Sequence, residues 1–152
     1  MKLEIREYDK ELTSELMDLL LTADPDKDKV IAYFTGSTVL VAQEENAIVG
    51  IAILSRNLDK EFELKNIAVL KDYQGKGIAK LLIAAIQKLA KEKGAKTLDV
   101  GTGNSSLAQL ALYQKCGFRL HSIEHDFFSS YPEPIYENGI RCLDMVRLRI
   151  EL

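Results

Sequence analysis

Between Glu61 and Val100 a strand-like segment, a glycine turn, a long helix and a second strand-like segment follow one another, and this order limits the fold most. Ile78, Leu81, Leu82, Ala85 and Leu89 recur at helical spacing, the inward stripe of an amphipathic helix reaching about Lys93. Gly94 stands where a left-handed C-cap belongs. A helix that joins two strands of one sheet crosses over right-handed and leaves those strands parallel. The segments therefore predict a mixed α/β fold, locally parallel here and mostly antiparallel elsewhere.

Elsewhere the elements are short. Lys2–Tyr8 alternates Leu3 and Ile5 with charges, as a strand does. Glu11–Ala23 carries Leu12, Leu16, Leu19 and Leu20 at helical spacing and stops before Pro25; a shorter helix covers Asp28–Phe34. Thr38–Gln43 and Ala47–Leu54, joined by Glu44-Glu45-Asn46, read as a hairpin. After the short buried strand Thr97–Val100 comes a helix, Ser105–Cys116, closed by Gly117. Phe118–Phe128 and Ile140–Ile150 read as two long closing strands. No linker, repeat or low-complexity run divides the chain, so one domain over residues 1–152 is expected.

Composition removes several classes of function. With 47% hydrophobic and 28% charged residues the chain has the balance of a packed domain rather than a disordered one. A net charge of -3 offers no basic footprint for a nucleic-acid backbone. Apolar runs such as Leu16–Leu21 and Ile78–Ile86 are too short to span a bilayer. The first residues lack the apolar core of a signal peptide, so a cytoplasmic location is expected. Cys116 and Cys142 show neither metal-ligand spacing nor a disulfide framework and read as small buried hydrophobes.

Two segments carry chemistry. In Glu61–Leu70, Phe62 and Leu64 occupy one parity and Ile67 and Val69 the other, so the strand slips phase near Lys65-Asn66. Either a β-bulge lies there or the strand end is buried on both faces. After a turn at Lys71 to Gly75 within which it begins, Gln74-Gly75-Lys76-Gly77-Ile78-Ala79 opens the long helix. Glycines let the backbone approach a ligand, and the unpaired first amides of a helix attract an anion such as a pyrophosphate, with Lys76 and Lys80 at the rim. The segment is neither a Walker loop nor a dinucleotide fingerprint.

Tyr113, near the end of the helix before Gly117, has two readings: a ring packed under the sheet, or a phenol that gives its proton to a leaving thiolate. His121 and His125 share no metal in a strand, where they stand about 13 Å apart. The long segment Phe127–Gly139, aromatic and rich in Pro and Glu, is either an acceptor-binding loop or a homodimer contact.

Taken together, Ile67-Ala68-Val69, Gln74-x-x-Gly77-x-Ala79 and Leu112-Tyr113-x-Lys115-x-Gly117-Phe118 resemble the GNAT superfamily of N-acetyltransferases over nearly the whole chain. Gly101-Thr102-Gly103-Asn104-Ser105-Ser106 and Tyr131–Gly139 resemble its small bacterial YvbK-type members. The resemblance implies a GNAT fold and acetyl-coenzyme A as co-substrate, with no metal. It implies that Ile67, Ala68 and Val69 pair with the pantetheine arm and that an amide of this strand end holds the acetyl carbonyl. Gln74, Gly75, Lys76, Gly77, Ile78, Ala79 and Lys80 would cradle the pyrophosphate, and Tyr113 would protonate the thiolate. Where the family often has asparagine seven residues before the tyrosine, this chain has Ser106, with Asn104 two residues earlier. Either binds pantetheine or caps the helix, and capping is expected of at least one. Glu63 is the first candidate base for the amine acceptor, ahead of Glu124 and Asp126. The expected activity is acetyl transfer to a primary amine of a small molecule. The alternatives are a non-catalytic acyl-coenzyme A sensor and an acetyltransferase of peptide or protein amines.

Overall fold

Residues Val49 to Ser55 are buried without a break, as happens only where a strand is covered on both faces. They belong to β3 (Ala47–Leu58), near the centre of a seven-stranded sheet in the computed structural model, which describes residues 2–152. Its strands run in the order β1 (Leu3–Tyr8), β2 (Thr38–Glu44), β3, β4 (Glu61–Val69), β5 (Thr97–Gly103), β9 (Met145–Glu151) and β6 (Arg119–Glu124). Among the described residues only β4 and β5 pair in parallel, and α3 (Ile78–Glu92) makes the crossover between them. The mixed, mostly antiparallel sheet with one parallel pair is the architecture the sequence predicts.

Two apolar layers sandwich the sheet. On one face α3 presents Ile78, Leu82, Ile83, Ile86 and Ala90, packed with Leu40, Ala52, Leu54, Phe62 and Leu64. On the other, α1 (Ser14–Leu21) and α2 (Lys27–Phe34) place Leu16, Leu19, Leu20 and Val30 against Val39, Val41, Ile51 and Ile53. Thr13 and Asp26 cap these helices by accepting from the amides of Leu16 and Lys29, which fixes starts later than hydropathy suggests for the first helix. Leu81, expected in the inward stripe of α3, is exposed instead. The buried arc is set by Leu82, Ile83 and Ile86, and Leu81 falls outside it.

The phase slip in β4 is a bulge. Asn66 pairs with Ile53 and Leu64 with Leu54, which leaves Lys65 as the extra residue. Phe62, Leu64, Ile67 and Val69 consequently all pack on the α3 face, while Ala68 turns to the opposite layer.

The closing strands are shorter than expected. β6 stops at Glu124, because Asp126 takes a left-handed conformation and its amide is held by Asp144. The segment Ile140–Ile150 is broken into β8 (Ile140–Arg141) and β9, since Asn104 Oδ1 accepts from the amides of both Leu143 and Asp144. β8 pairs with β7 (Tyr136–Glu137) through a turn at Asn138-Gly139, both at positive φ. Cys142 is buried as expected, whereas Cys116 is only half-buried.

At Gly50 side chains of α3 lie close over the sheet. A Cβ there would lie 3.1 Å from Leu82 Cδ1 and 3.3 Å from Ile78 Cγ2. Gly50→Val is expected to lower the free energy of unfolding by about 1–3 kcal/mol through overpacking, read by urea denaturation.

Candidate active site

The parallel ladder between β4 and β5 is short, running from Glu61/Thr97 to Leu64/Val100. Beyond the bulge β4 follows β3, where Ile67 pairs with Ala52 and Val69 with Gly50. Beyond Val100, β5 follows β9, with Gly101 opposite Arg147 and Gly103 opposite Met145. The two arms part, and the edge of β4 that faces β5 is left without a sheet partner from Lys65 onward. A cavity of about 870 Å³ occupies the fork, walled by residues 63–67 on one side and 100–103 on the other. Glycine keeps the second arm thin. A Cβ at Gly101 would lie 2.7 Å from Met145 Sδ, and one at Gly103 would lie 2.5 Å from Cys142 Sγ.

The glycine turn follows the open stretch of β4 after a single 3-10 turn, Lys71–Tyr73. Gln74 Nε2 donates to Val69 O, tying the turn to the strand end. Gly75 and Gly77 have φ of +76° and +82°, and Gly77 caps α3 without a side chain in the way. The first helical bond runs from Leu81 N to Gly77 O, so the amides of Ile78, Ala79 and Lys80 have no acceptor within the helix. Lys76 Nζ lies 5.3 Å from the Tyr73 ring centre, and both Lys76 and Lys80 are exposed.

Tyr113 is packed, as the first of its sequence readings expects. It is 4% exposed and packs edge-to-face on Phe118, with ring centres 6.0 Å apart, yet it also forms part of the cavity wall. Burial, with a smaller contribution from Cys116, pushes its pKa up to about 12. Its hydroxyl therefore stays protonated throughout the physiological range.

The two residues before α4 (Leu107–Lys115) behave differently from the capping expectation. Ser106 occupies the N-cap, but its hydroxyl donates to Glu137 Oε1 and accepts no helix amide. Asn104 uses both ends of its amide on residues 141–144, with Nδ2 donating to Arg141 O. Ser106 lines the cavity beside Tyr113, and Asn104 serves as a clasp for the strand break.

Of the three candidate carboxylates, Glu63 alone stands in the cavity wall. Its side chain is 12% exposed and lies 3.4 Å from Lys65 Nζ and 3.7 Å from Arg147 Nη1, with Asn57 Nδ2 donating to Oε1 at 2.8 Å. Glu124 is half-exposed and holds Arg147 Nε at 2.8 Å. Asp126 is used in the turn after β6, where Ser129 Oγ donates to its carbonyl. Arg147, which joins Glu63 to Glu124, was not picked out in the sequence. Its signal is the regular alternation of Arg147 and Arg149 with Val146, Leu148 and Ile150. Asn66 was also missed as a side chain. Its Nδ2 donates to Leu20 O and Tyr33 Oη, and Tyr33 Oη donates to Asp24 Oδ2, so β4 is tied at the bulge to α1 and α2.

Part of the wall is aromatic. Phe127, Phe128 and Tyr131 stack edge-to-face in sequence, and Lys29 of α2 lies 5.1 Å from the Phe127 ring centre. These rings come from the long segment after β6, which places part of it at the cavity. Among the described residues no group of three or more His, Cys, Asp or Glu has the arrangement of a metal site. Nor is any described helix long and apolar enough to cross a membrane.

An opened β4–β5 fork beside a bare helix N-terminus is the architecture of an acyl-coenzyme A N-acyltransferase. The model of the acetyltransferase (GNAT) family matches residues 3–118, and the chain belongs to that family. It is 47% identical over 147 residues, 96% of this chain and 95% of the relative, to the uncharacterized N-acetyltransferase YvbK of Bacillus subtilis. A Bacillus subtilis acetyltransferase solved in complex with CoA superposes with a TM-score of 0.94 at 45% identity, over 99% of each chain. A GNAT family acetyltransferase from Elizabethkingia anophelis with acetyl-CoA bound gives 0.93 at 43% identity, over 99% of this chain and 98% of that one. The protein is an acyltransferase.

Asn104→Ala is expected to cost about 2 kcal/mol of stability by orphaning two amides at the strand break, measured by urea denaturation. The same variant should keep most of its affinity for acetyl-coenzyme A, because its side chain faces the 141–144 segment.

Proposed function

We propose that this enzyme transfers an acetyl group from acetyl-coenzyme A directly to a primary amine of a small molecule. The observation that carries the reading is the unpaired edge of β4 from Lys65 to Val69, continuous with the bare amides that open α3. Pantetheine adds to that edge through Ile67, Ala68 and Val69 as an extra strand does. Gln74 to Lys80 receive the pyrophosphate on backbone amides, with the helix dipole and Lys76 and Lys80 adding positive potential.

Chemistry then takes place in the fork. The amine nitrogen attacks the thioester carbonyl carbon, and a backbone amide of the β4 end stabilises the oxyanion that forms. Glu63, from the cavity wall, accepts the proton the amine loses, directly or through a water. Collapse of the intermediate breaks the C–S bond, and Tyr113 gives its phenolic proton to the departing thiolate. A phenol buried as a neutral group is suited to this task, since it does not ionise at the pH of turnover. No acyl-enzyme intermediate is involved. A small acceptor is favoured over a peptide because Phe127, Phe128 and Tyr131 narrow the cavity on the acceptor side. A donor held in the cytoplasm would make that the working compartment.

Calorimetric titration with acetyl-coenzyme A, followed in the same sample by a free-thiol assay across a panel of amines, tests the proposal. Binding with thiol release supports it, and absence of binding overturns it. Binding without release for any amine would favour a sensor. Gly77→Glu, with its fold checked by circular dichroism, is expected to abolish binding by setting bulk and negative charge against the pyrophosphate. Tyr113→Phe should bind normally and turn over about a hundredfold more slowly. With its phenol titrating at about 12, the wild-type enzyme should show no alkaline loss of rate from Tyr113 up to pH of about 10. Any limb seen there should persist in Tyr113→Phe.

A further inference from the structure

β6 forms one edge of the sheet, and all six of its residues are exposed. Its outer side offers unpaired backbone groups, and Leu120 and Ile123 are 61% and 55% exposed. Arg119 has no ion-pair partner among the described residues, and Glu124 engages Arg147 through Oε1.

A bulge gives this edge an unusual pattern of faces. Leu120 pairs with Leu148 and Ser122 with Arg147, so His121 is the extra residue. Two residues of a bulged strand oppose one on the partner, and His121 and Ser122 therefore share the face of Arg147. Arg119 opposite Arg149 and Glu124 opposite Met145 lie on that same face. Leu120 and Ile123 lie on the other, with Leu148 and Val146 of the α3 layer.

Antiparallel pairing of two copies about a two-fold axis requires opposed residues to share a face. In a regular strand this holds when a residue opposes itself or a neighbour of equal parity. Here registers centred on His121 or Ser122 set Leu120 against Ser122 or Glu124 and fail, while those centred on Leu120 or Ile123 pair only about half of the strand. Only the register that opposes His121 with Ser122 matches faces along the whole strand. In it Leu120 meets Ile123 of the second copy, and Arg119 meets Glu124. Both apolar residues and both charges thus find complementary partners.

We infer that β6 is a homodimerisation edge, where a second copy of this chain pairs antiparallel about an axis between His121 and Ser122. The pairing joins two sheets into one and leaves both forks open, since β5 and β9 separate β6 from β4. The dimer contact is then the strand preceding the aromatic segment, and that segment is free to line the cavity.

Sedimentation equilibrium of the full chain tests this, with circular dichroism confirming the fold of each variant. The wild type is expected to be dimeric. Arg119→Glu and Glu124→Arg should each weaken the dimer by roughly a hundredfold, because two cross-strand attractions become repulsions. The double variant, with the charges exchanged, should recover it. A monomeric wild type overturns the inference, as does a dimer that both single exchanges leave intact or that the double variant fails to restore. Ile123→Lys should also dissociate the dimer; a dimer that tolerates it lies on another surface.

Discussion

One extra residue in β4 organises the molecule. If Lys65 were not bulged out, Ile67 and Val69 would face the α1–α2 layer, and the α3 layer would lack the apolar floor they supply. The bulge also coincides with the end of the parallel ladder at Leu64/Val100, so the two arms separate where the strand bends. A sheet does not open at its centre without help, because unpaired backbone costs free energy. Here β3 and β9 each take over one arm, and Asn66 fastens the bend to Leu20 and Tyr33.

The same separation orders the chemistry. The edge of β4 and Tyr113 of α4 come from elements separated in the chain, yet both line one cavity. Glu63 stands one residue before the end of the parallel ladder, at the threshold between paired and unpaired strand. Lys65 and Arg147 hold its carboxylate in place, and Arg147 also holds Glu124 at 2.8 Å.

Much of this was legible in the residues themselves, since it depends on local periodicity. The parity change between Leu64 and Ile67 marked the bulge, and Gly75 and Gly77 before an apolar helix marked the bare amides. The closing strands were misread for a non-local reason. Nothing in Ile140–Ile150 announces that Asn104, far away in sequence, will take the amides of Leu143 and Asp144 and end β8. The Asn138-Gly139 pair did carry a hairpin signal, and it was obscured by the Pro-rich run before it. Glu63 ranked ahead of Glu124 and Asp126 from its place on the strand leading to the site, but the role of Arg147 in joining Glu63 to Glu124 was not legible, because it rests on which strand face Arg147 occupies.

The strand order has a consequence for how the protein is made. β9 lies between β5 and β6, so the last strand in chain order enters the interior of the sheet rather than its rim. While the chain is being synthesised, β1 to β4, α3 and the part of β5 that pairs with β4 are able to assemble on the ribosome, but β6 and the rest of β5 wait for a shared neighbour. Until residues 145–151 have emerged, one arm of the fork has nothing to lean on, and a nascent chain would have its donor-binding half well before its catalytic half.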